Sequence, residues 1–538
     1  MRRIVLGFTL LGASVPPSVA SAQDFDAPVR YEDDFLSADF HRSRRDAVMA
    51  ALPENGIAVL FGAPTRNRSN DVDFEYRQSS DFLYLTGTSE PGSALVLAPG
   101  GVEVDGETVR EVLFVPPRDP SRETWLGRRF GAERAMEQLG VELAVDATRF
   151  SEIVAPLLQS GAFDIFHLDL PSGVEEGTDL AGQLDTFLEY QDPIEIADGG
   201  LVGFVLQGML AAQSPGVFDQ VKGIAARGFS PTQVSDSELR SVAEAFLASA
   251  SIEEWGPRRD ELLAARPDGI LLRAKLDELR AVKTEEEMAA LQRAIDITAE
   301  GHREVMRQVE PGWKEYEIEA LIEYTFKRNG AEYTGFPSIV GSGENSVILH
   351  YETNRRTTEP DDVIVIDIGA EFHGYSADVT RTVPVDGTYN DEQRTIYELV
   401  YRAQEAGIEA TRSDSPFGAP HEAAARVLAE GLAALGLISS PTDQRGLRRF
   451  FMHGTSHYLG LDVHDVGSRG PMEPGTVITV EPGIYIPAAE DIDPKWWNIG
   501  VRIEDDVLVT SGDPVILSAS VPRQIDEVEA LMQGRPVS

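Results

Sequence analysis

VIVIDIGAEFHGYSADVTRT, running from Val363 to Thr382, is the stretch that decides how this chain is read. Val363, Ile364, Val365 and Ile366 form a β-branched run that fits an interior strand, yet Asp367 interrupts it and Ile368 resumes it. A carboxylate inside such a strand is costly unless it is paired or bound to a cation. Asp378 follows eleven residues later, ahead of a second strand-like run. The pattern recurs downstream, where Glu481 ends Val477-Ile478-Thr479-Val480 and Glu504 follows Val501-Arg502-Ile503. Between these segments lies HGTSHYLGLDVHD (His453 to Asp465), which contains His457. Asp367, Asp378, His457, Glu481 and Glu504 together make a ligand set for two divalent cations. Carboxylates can bridge a pair of ions, and four negative charges balance four positive ones.

The rest of the composition narrows the partners. No cysteine occurs anywhere, so disulfides and thiolate sites are excluded and any metal must sit on oxygen and nitrogen. The chain opens with Met1-Arg2-Arg3, an apolar stretch from Ile4 to Val15 and Ala20-Ser21-Ala22 before Gln23. This reads as a secretory signal peptide over residues 1–22, with cleavage near Ala22 and a periplasmic or secreted product. The apolar run is too short to span a bilayer and is broken by Pro16-Pro17. Cleavage removes two arginines and no acid, leaving a net charge of about −44. That charge argues against nucleic acid and anionic membrane as partners.

Organisation along the chain is α/β. IAVLF (Ile57–Phe61), FLYLTG (Phe82–Gly87), SALVLAP (Ser93–Pro99) and EVLFVPP (Glu111–Pro117) read as strands, and Arg122–Gly140 contains a helix ending at Gly140. Residues 30–270 are expected to form an N-terminal mixed α/β domain, enlarged over about 170–265 by a spacer, lid or oligomer contact. Residues 275–530 form a second domain that opens on a capping box, Thr284-Glu285-Glu286-Glu287. Helices over 284–309 and 313–329 precede strands to about Pro384. The order then repeats, with helices from Asp391 to Leu435 and strands from Arg449 to Thr510. Two such units imply pseudo-twofold halves with the acids in the seam between them.

Several stretches carry a family resemblance: SIVGSGENSVILHY (Ser338–Tyr351), Asp367–Thr382, HGTSHYLGLDVHDVG (His453–Gly467), EPGIYIP (Glu481–Pro487), VRIEDDVLVT (Val501–Thr510) and, near the start, DFEYRQSSDFLYLTG (Asp73–Gly87). The chain resembles the aminopeptidase P and prolidase branch of the pita-bread metallopeptidases from about residue 35 to its C-terminus, with a weakly matching middle. The resemblance implies a C-terminal pita-bread catalytic domain behind a non-catalytic N-terminal one. It implies two divalent metal ions, with Mn²⁺ expected and Co²⁺ or Zn²⁺ as alternatives. Asp367 would chelate one ion and His457 the other, with Asp378 and Glu504 bridging and Glu481 completing the shell of the His-bound ion. The implied nucleophile is a hydroxide held between the metals, with Glu481 as proton shuttle. His350 and His464 would line the cleft and steady the scissile carbonyl. His453, Arg502 and Tyr485 are expected to contact substrate, although a salt bridge would also account for Arg502.

Three functions compete. An Xaa-Pro aminopeptidase, favoured here, cleaves after the first residue of peptides with proline second. An Xaa-Pro dipeptidase (prolidase) needs a cation for the free carboxylate of a dipeptide. A non-catalytic peptide-binding protein on the same fold would show a broken ligand set, whereas all five ligands are present. Proline's amide lacks an N–H, so its site needs an apolar slot, which Phe82-Leu83-Tyr84 is expected to reach, from this subunit or a neighbour. Arg77 and Asp81 are expected to pair with each other or face the cleft. A homodimer or homotetramer is expected.

Overall fold

The computed structural model describes residues 28–190, 205, 208–209, 212, 215–226, 229–233, 237–264, 269–468 and 470–534. The expected signal peptide and part of the enlarged region lie outside these residues. No helix among the described residues is long and apolar enough to cross a membrane.

The N-terminal domain is built on a five-stranded sheet ordered Leu143–Asp146, Glu107–Val115, Ala94–Val104, Gly56–Phe61, Asp164–His167. The two outer pairs are parallel and the two inner pairs antiparallel. Gly56–Phe61 is apolar on both faces because both are covered. Ala58 and Leu60 face a core shared with the Ala38–Ala51 helix, while Ile57 and Val59 face Phe114, Phe150 and Phe187. The first of these cores continues without a break through Leu276 to Ile366 and Ile503, so the two domains are packed as one body.

Phe82–Gly87, expected as a strand, belongs to the helix Ser80–Thr86. Its alternating pattern mimics a strand, but Ser79 caps the first turn by accepting from the Phe82 N–H, and Gly87 ends the last turn at φ 71°. Phe82 and Tyr84 are each 1% exposed, packed in the shared core, so this aromatic pair lines no slot. Their apolarity serves domain packing instead.

The second domain repeats a helix–helix–strand plan. Thr284 caps the helix Glu285–Gln308 through the expected capping box, and Glu315–Arg328 follows. The strands Ile339–Ser342, Val363–Ile368 and Val379–Pro384 then form one antiparallel sheet with Val363–Ile368 at its centre. The second half places Asp391–Ala410 and Ala419–Ala434 ahead of Val477–Val480, which pairs with Asp505–Leu508. Gly483–Ile486 pairs with Ile499–Arg502. The strands expected from Arg449 start later. Gln444–Phe450 is a helix, and the described residues from Phe451 to Thr476 are irregular, crossed among themselves and to neighbours by isolated bridges at Tyr458 and Pro471. Gly454, Gly460 and Gly467 punctuate that stretch and prevent a continuous ladder.

The halves meet edge to edge. Thr382 Oγ1 donates to the Arg502 carbonyl at 2.9 Å and accepts from the Arg502 N–H at 3.0 Å, while the Glu504 N–H donates to the Thr380 carbonyl at 3.0 Å. Gly500 lies so close to Ser346 that a β-carbon there would sit 2.0 Å from the Ser346 carbonyl oxygen. The five acid and histidine positions singled out above converge on this seam.

Candidate metal centre

Each ligand candidate is fixed by a strand or the end of one. Asp367 is in register with Thr380 on one side and Ile339 on the other, inside a strand whose six residues are all buried. Asp378 immediately precedes Val379–Pro384, Glu481 follows Val477–Val480, and Glu504 joins Ile499–Arg502 to Asp505–Leu508. His457 runs beside Val477–Val480, its carbonyl accepting from the Thr479 N–H at 2.9 Å. Its Nδ1 meets the Tyr458 carbonyl at 3.0 Å, which leaves Nε2 to face Asp378 Oδ2 at 3.3 Å and Glu481 Oε1 at 3.9 Å. A backbone carbonyl on Nδ1 holds the ring as a ligand histidine is usually held. One donor atom from each of Asp378, His457 and Glu504 falls within a 4.8 Å cluster.

Electrostatics point the same way. Burial pushes the Asp378 carboxyl up to about 6, and Asp367 beside it adds to the shift. Glu481 is pushed up to about 8, again by burial first, against the pull of His457 and Arg502. Glu504 is held well above the ordinary carboxyl range by burial and by Asp378, Glu481 and Asp367. Burial alone would lower His457, but Asp378 and Glu481 beside it raise it to about 9. Four carboxyls therefore crowd a largely buried seam, faced by Arg502, His457 and His453. Asp367 Oδ1 is buried with no hydrogen-bond partner, and so is Oδ1 of Asp506 behind Asp378. Orphaned oxygens in an acid cluster are what a cation would satisfy, and oxygen with one imidazole suits divalent manganese, cobalt or zinc. The residues present fit a metal site.

The other candidates divide into two groups. Arg502 is 3% exposed and donates to Asp367 Oδ2 at 2.6 Å and to the Tyr485 hydroxyl at 3.0 Å. The Tyr485 hydroxyl also meets His453 Nε2 at 2.8 Å, and His453 Nδ1 lies 3.5 Å from Glu481 Oε2. Tyr485, expected to contact substrate, is 1% exposed and turned towards Arg502 and His453. Burial lowers His453 to about 4, with Arg502 adding to the shift, so this ring is neutral at ordinary pH. His350 and His464 form the second group, both exposed on loops. The His464 ring packs on that of His457 with centroids 4.3 Å apart. The Leu349 carbonyl accepts from Arg502 at 3.4 Å and ties the His350 segment to the same arginine.

Arg77 and Asp81 do not pair. Arg77 binds Glu371 at 2.7 Å, and Asp81 binds Arg273 and Arg280. Thr380, which sequence reasoning passed over, donates to Glu504 Oε2 at 2.6 Å. Arg381, also passed over, is fully buried against Asp505 at 2.7 Å and donates to the Glu504 carbonyl at 2.6 Å. The available signal was the polar triplet Thr380-Arg381-Thr382 inside a buried strand.

The seam and its acid cluster define a metal-dependent hydrolase, and comparison gives the family. Residues 289–511 match metallopeptidase family M24 and residues 41–166 match the aminopeptidase P N-terminal domain. The chain belongs to family M24. It is 34% identical over 507 residues to the Xaa-Pro aminopeptidase of Escherichia coli, covering 92% of this chain and 98% of that protein. The Xaa-Pro aminopeptidase of Haemophilus influenzae is 34% identical over 498 residues, covering 91% and 96%. The structure of E. coli aminopeptidase P with the inhibitor Pro-Leu matches with a TM-score of 0.72 at 32% identity, covering 93% of this chain and 99% of that one. These relatives carry the pita-bread fold behind an N-terminal domain, as this chain does.

Proposed function

We propose that this enzyme is an Xaa-Pro aminopeptidase, hydrolysing the bond between an N-terminal residue and a following proline. The observation that carries the reading is the intact set of Asp367, Asp378, His457, Glu481 and Glu504 across one seam, with the three strand-held acids buried and His457 and Glu481 half-buried, in a chain whose relatives bear that name over nearly their full length. When bound at these five residues, two divalent ions, Mn²⁺ in this proposal, supply Lewis acidity and bring the pKa of water towards neutrality. The protein groups do the rest. Glu481, at the end of Val477–Val480 and beside His457, is placed to take a proton from the attacking water and return it to the departing proline nitrogen. His350 and His464 orient the scissile carbonyl from the open side. Arg502 donates to Asp367 Oδ2 and, with Tyr485, fixes the neutral ring of His453 beside Glu481.

The proposal extends to export with cleavage near Ala22, supported by the leader pattern, and to a homo-oligomer. The deciding experiment compares Ala-Pro, Ala-Pro-Ala, Ala-Ala-Ala and an amidated Xaa-Pro peptide on enzyme reconstituted with Mn²⁺, Co²⁺ or Zn²⁺. Ala-Pro-Ala should be cleaved at least as well as Ala-Pro, and amidation should matter little. A dipeptidase would lose on the order of a hundredfold in kcat/KM on amidation, because a buried cation would be left unpaired. Exclusive cleavage of dipeptides would replace the aminopeptidase reading with that one.

A further inference from the structure

Two acids flank His464 in the chain, and neither is turned to the cleft. Asp462 Oδ2 lies 2.6 Å from Arg280 Nη2, and Asp465 Oδ1 lies 2.5 Å from the same nitrogen. Arg280 stands at the end of the Gly269–Ala281 helix and is 2% exposed. Its other terminal nitrogen, Nη1, donates to Asp81 Oδ1 at 2.7 Å, on the Ser80–Thr86 helix of the N-terminal domain. Lys283 Nζ takes Asp465 Oδ2 at 3.1 Å, and Arg273 also binds Asp81. Arg280, Lys283 and Arg273 thus face Asp81, Asp462 and Asp465 in a largely buried network, to whose outer edge Asp277 adds a bond with Arg273 at 2.6 Å. Two further hydrogen bonds run in parallel, from Ser80 Oγ to Asp462 Oδ1 at 2.6 Å and from Arg77 Nη2 to the Leu461 carbonyl at 2.7 Å. Gly460 leaves room for the arrangement, since a β-carbon there would lie 2.1 Å from Asp465 Oδ2.

We propose that Arg280 is a positioning residue for His464, clamping the loop that carries it to the N-terminal domain through Asp81, Asp462 and Asp465. The clamp is stiff for a physical reason. Charge-assisted bonds from one planar guanidinium to one acid on the Ser80–Thr86 helix and two on the His464 loop fix the angle between those segments as well as their distance. With Asp462 and Asp465 both anchored, the backbone of His464 has little freedom, and its exposed ring is held over that of His457. The N-terminal domain contributes to turnover through this contact rather than through a side chain in the cleft. The inference rests on the reading that His464 orients the substrate.

The test is a double-mutant cycle on metal-loaded full-length enzyme with Ala-Pro-Ala, using Arg280→Met and His464→Ala singly and together. Arg280→Met should lower kcat on the order of tenfold to a hundredfold, with KM within about threefold and metal content unchanged. In the His464→Ala background the same change should lower kcat no further, because its only route to the reaction has been removed. Asp81→Asn should act in the same direction, more weakly, and with the same dependence on His464; it carries the cycle if Arg280→Met does not accumulate folded. Effects that multiply fully in the double variant, a loss of kcat that tracks a loss of metal, or a wild-type kcat in both clamp variants would each overturn the proposal. Wild-type kcat in His464→Ala alone would instead sink the reading on which it rests.

Discussion

The acids and the loop histidines face the same cleft, but they are held by opposite means. Asp367, Asp378 and Glu504 are 8%, 5% and 2% exposed and sit in or beside strands whose ladders fix their backbones. His350 and His464 are exposed and sit on loops without a ladder. The first group is rigid through its own sheet and strained only by charge, since four carboxyls share one largely buried seam. The second depends on remote contacts for its place. Damage to the first group should therefore abolish binding and chemistry together. Damage to the supports of the second should weaken turnover and leave the metal in place.

The comparison breaks most sharply at Asp378. Asp378→Asn should remove a ligand atom from the cluster with His457 and Glu504 and cut kcat by about a thousandfold or more, with metal content falling in parallel. Circular dichroism and elemental analysis would check it. Full metal loading with near-normal turnover would remove Asp378 from the site.

A middle-sized effect should appear in stability against pH. Asp378, Glu481 and Glu504 all have raised carboxyl pKa values in the metal-free chain. A carboxyl raised on folding holds its proton more tightly in the folded than in the unfolded chain. Stability is therefore lost as pH climbs from the ordinary carboxyl range through about 8. His457, raised to about 9, contributes stability below its ordinary value that is lost as pH rises through 9. Both signs agree, so metal-stripped protein should melt several degrees lower at pH 8.5 than at pH 5.5. Mn²⁺ should restore most of the difference, and melting curves at the two pH values with and without the ion would measure it. A stabilisation by Mn²⁺ that is equal at both pH values would contradict the crowding of acids.

The smallest effect belongs to an ionic contact that supports neither group. His373 Nε2 meets Asp34 Oδ1 at 2.9 Å, but the Asp34 side chain is 57% exposed. Asp34→Asn should cost at most about 1 kcal/mol in denaturant unfolding and leave kcat unchanged. A tenfold loss of turnover there would show that remote ionic contacts in general, and not the buried Arg280 set in particular, govern the cleft.

The acids were legible in the sequence because each interrupts, ends or immediately precedes a strand-like run, and a short-range pattern is enough to place a residue in or beside a strand. The helix capped by Thr284 was legible for the same reason, its box being contained in four residues. What could not be read depended on distant partners. Arg77 and Asp81, four apart, looked like a pair, yet each is claimed by a charge nearly two hundred residues or more away. Phe82 and Tyr84 alternate like strand residues, and only the Ser79 cap and left-handed Gly87 make them helical. Tyr485 follows Glu481 closely enough to suggest the cleft, but the pairing of Gly483–Ile486 with Ile499–Arg502 turns it inward to Arg502.

The order in which the ribosome delivers the Arg280 cluster follows from its spacing. Asp81 comes first, Arg280 emerges 199 residues later, and Asp465 a further 185 residues after that. The five-stranded N-terminal sheet is complete once His167 has been made, so that domain can fold long before its partner exists. Throughout that interval the guanidinium has Asp81 but neither of its loop acids. A nascent chain stopped short of residue 462 would carry a finished sheet beside an unsatisfied docking face. In the completed chain the loop that carries Asp462 and Asp465 covers it.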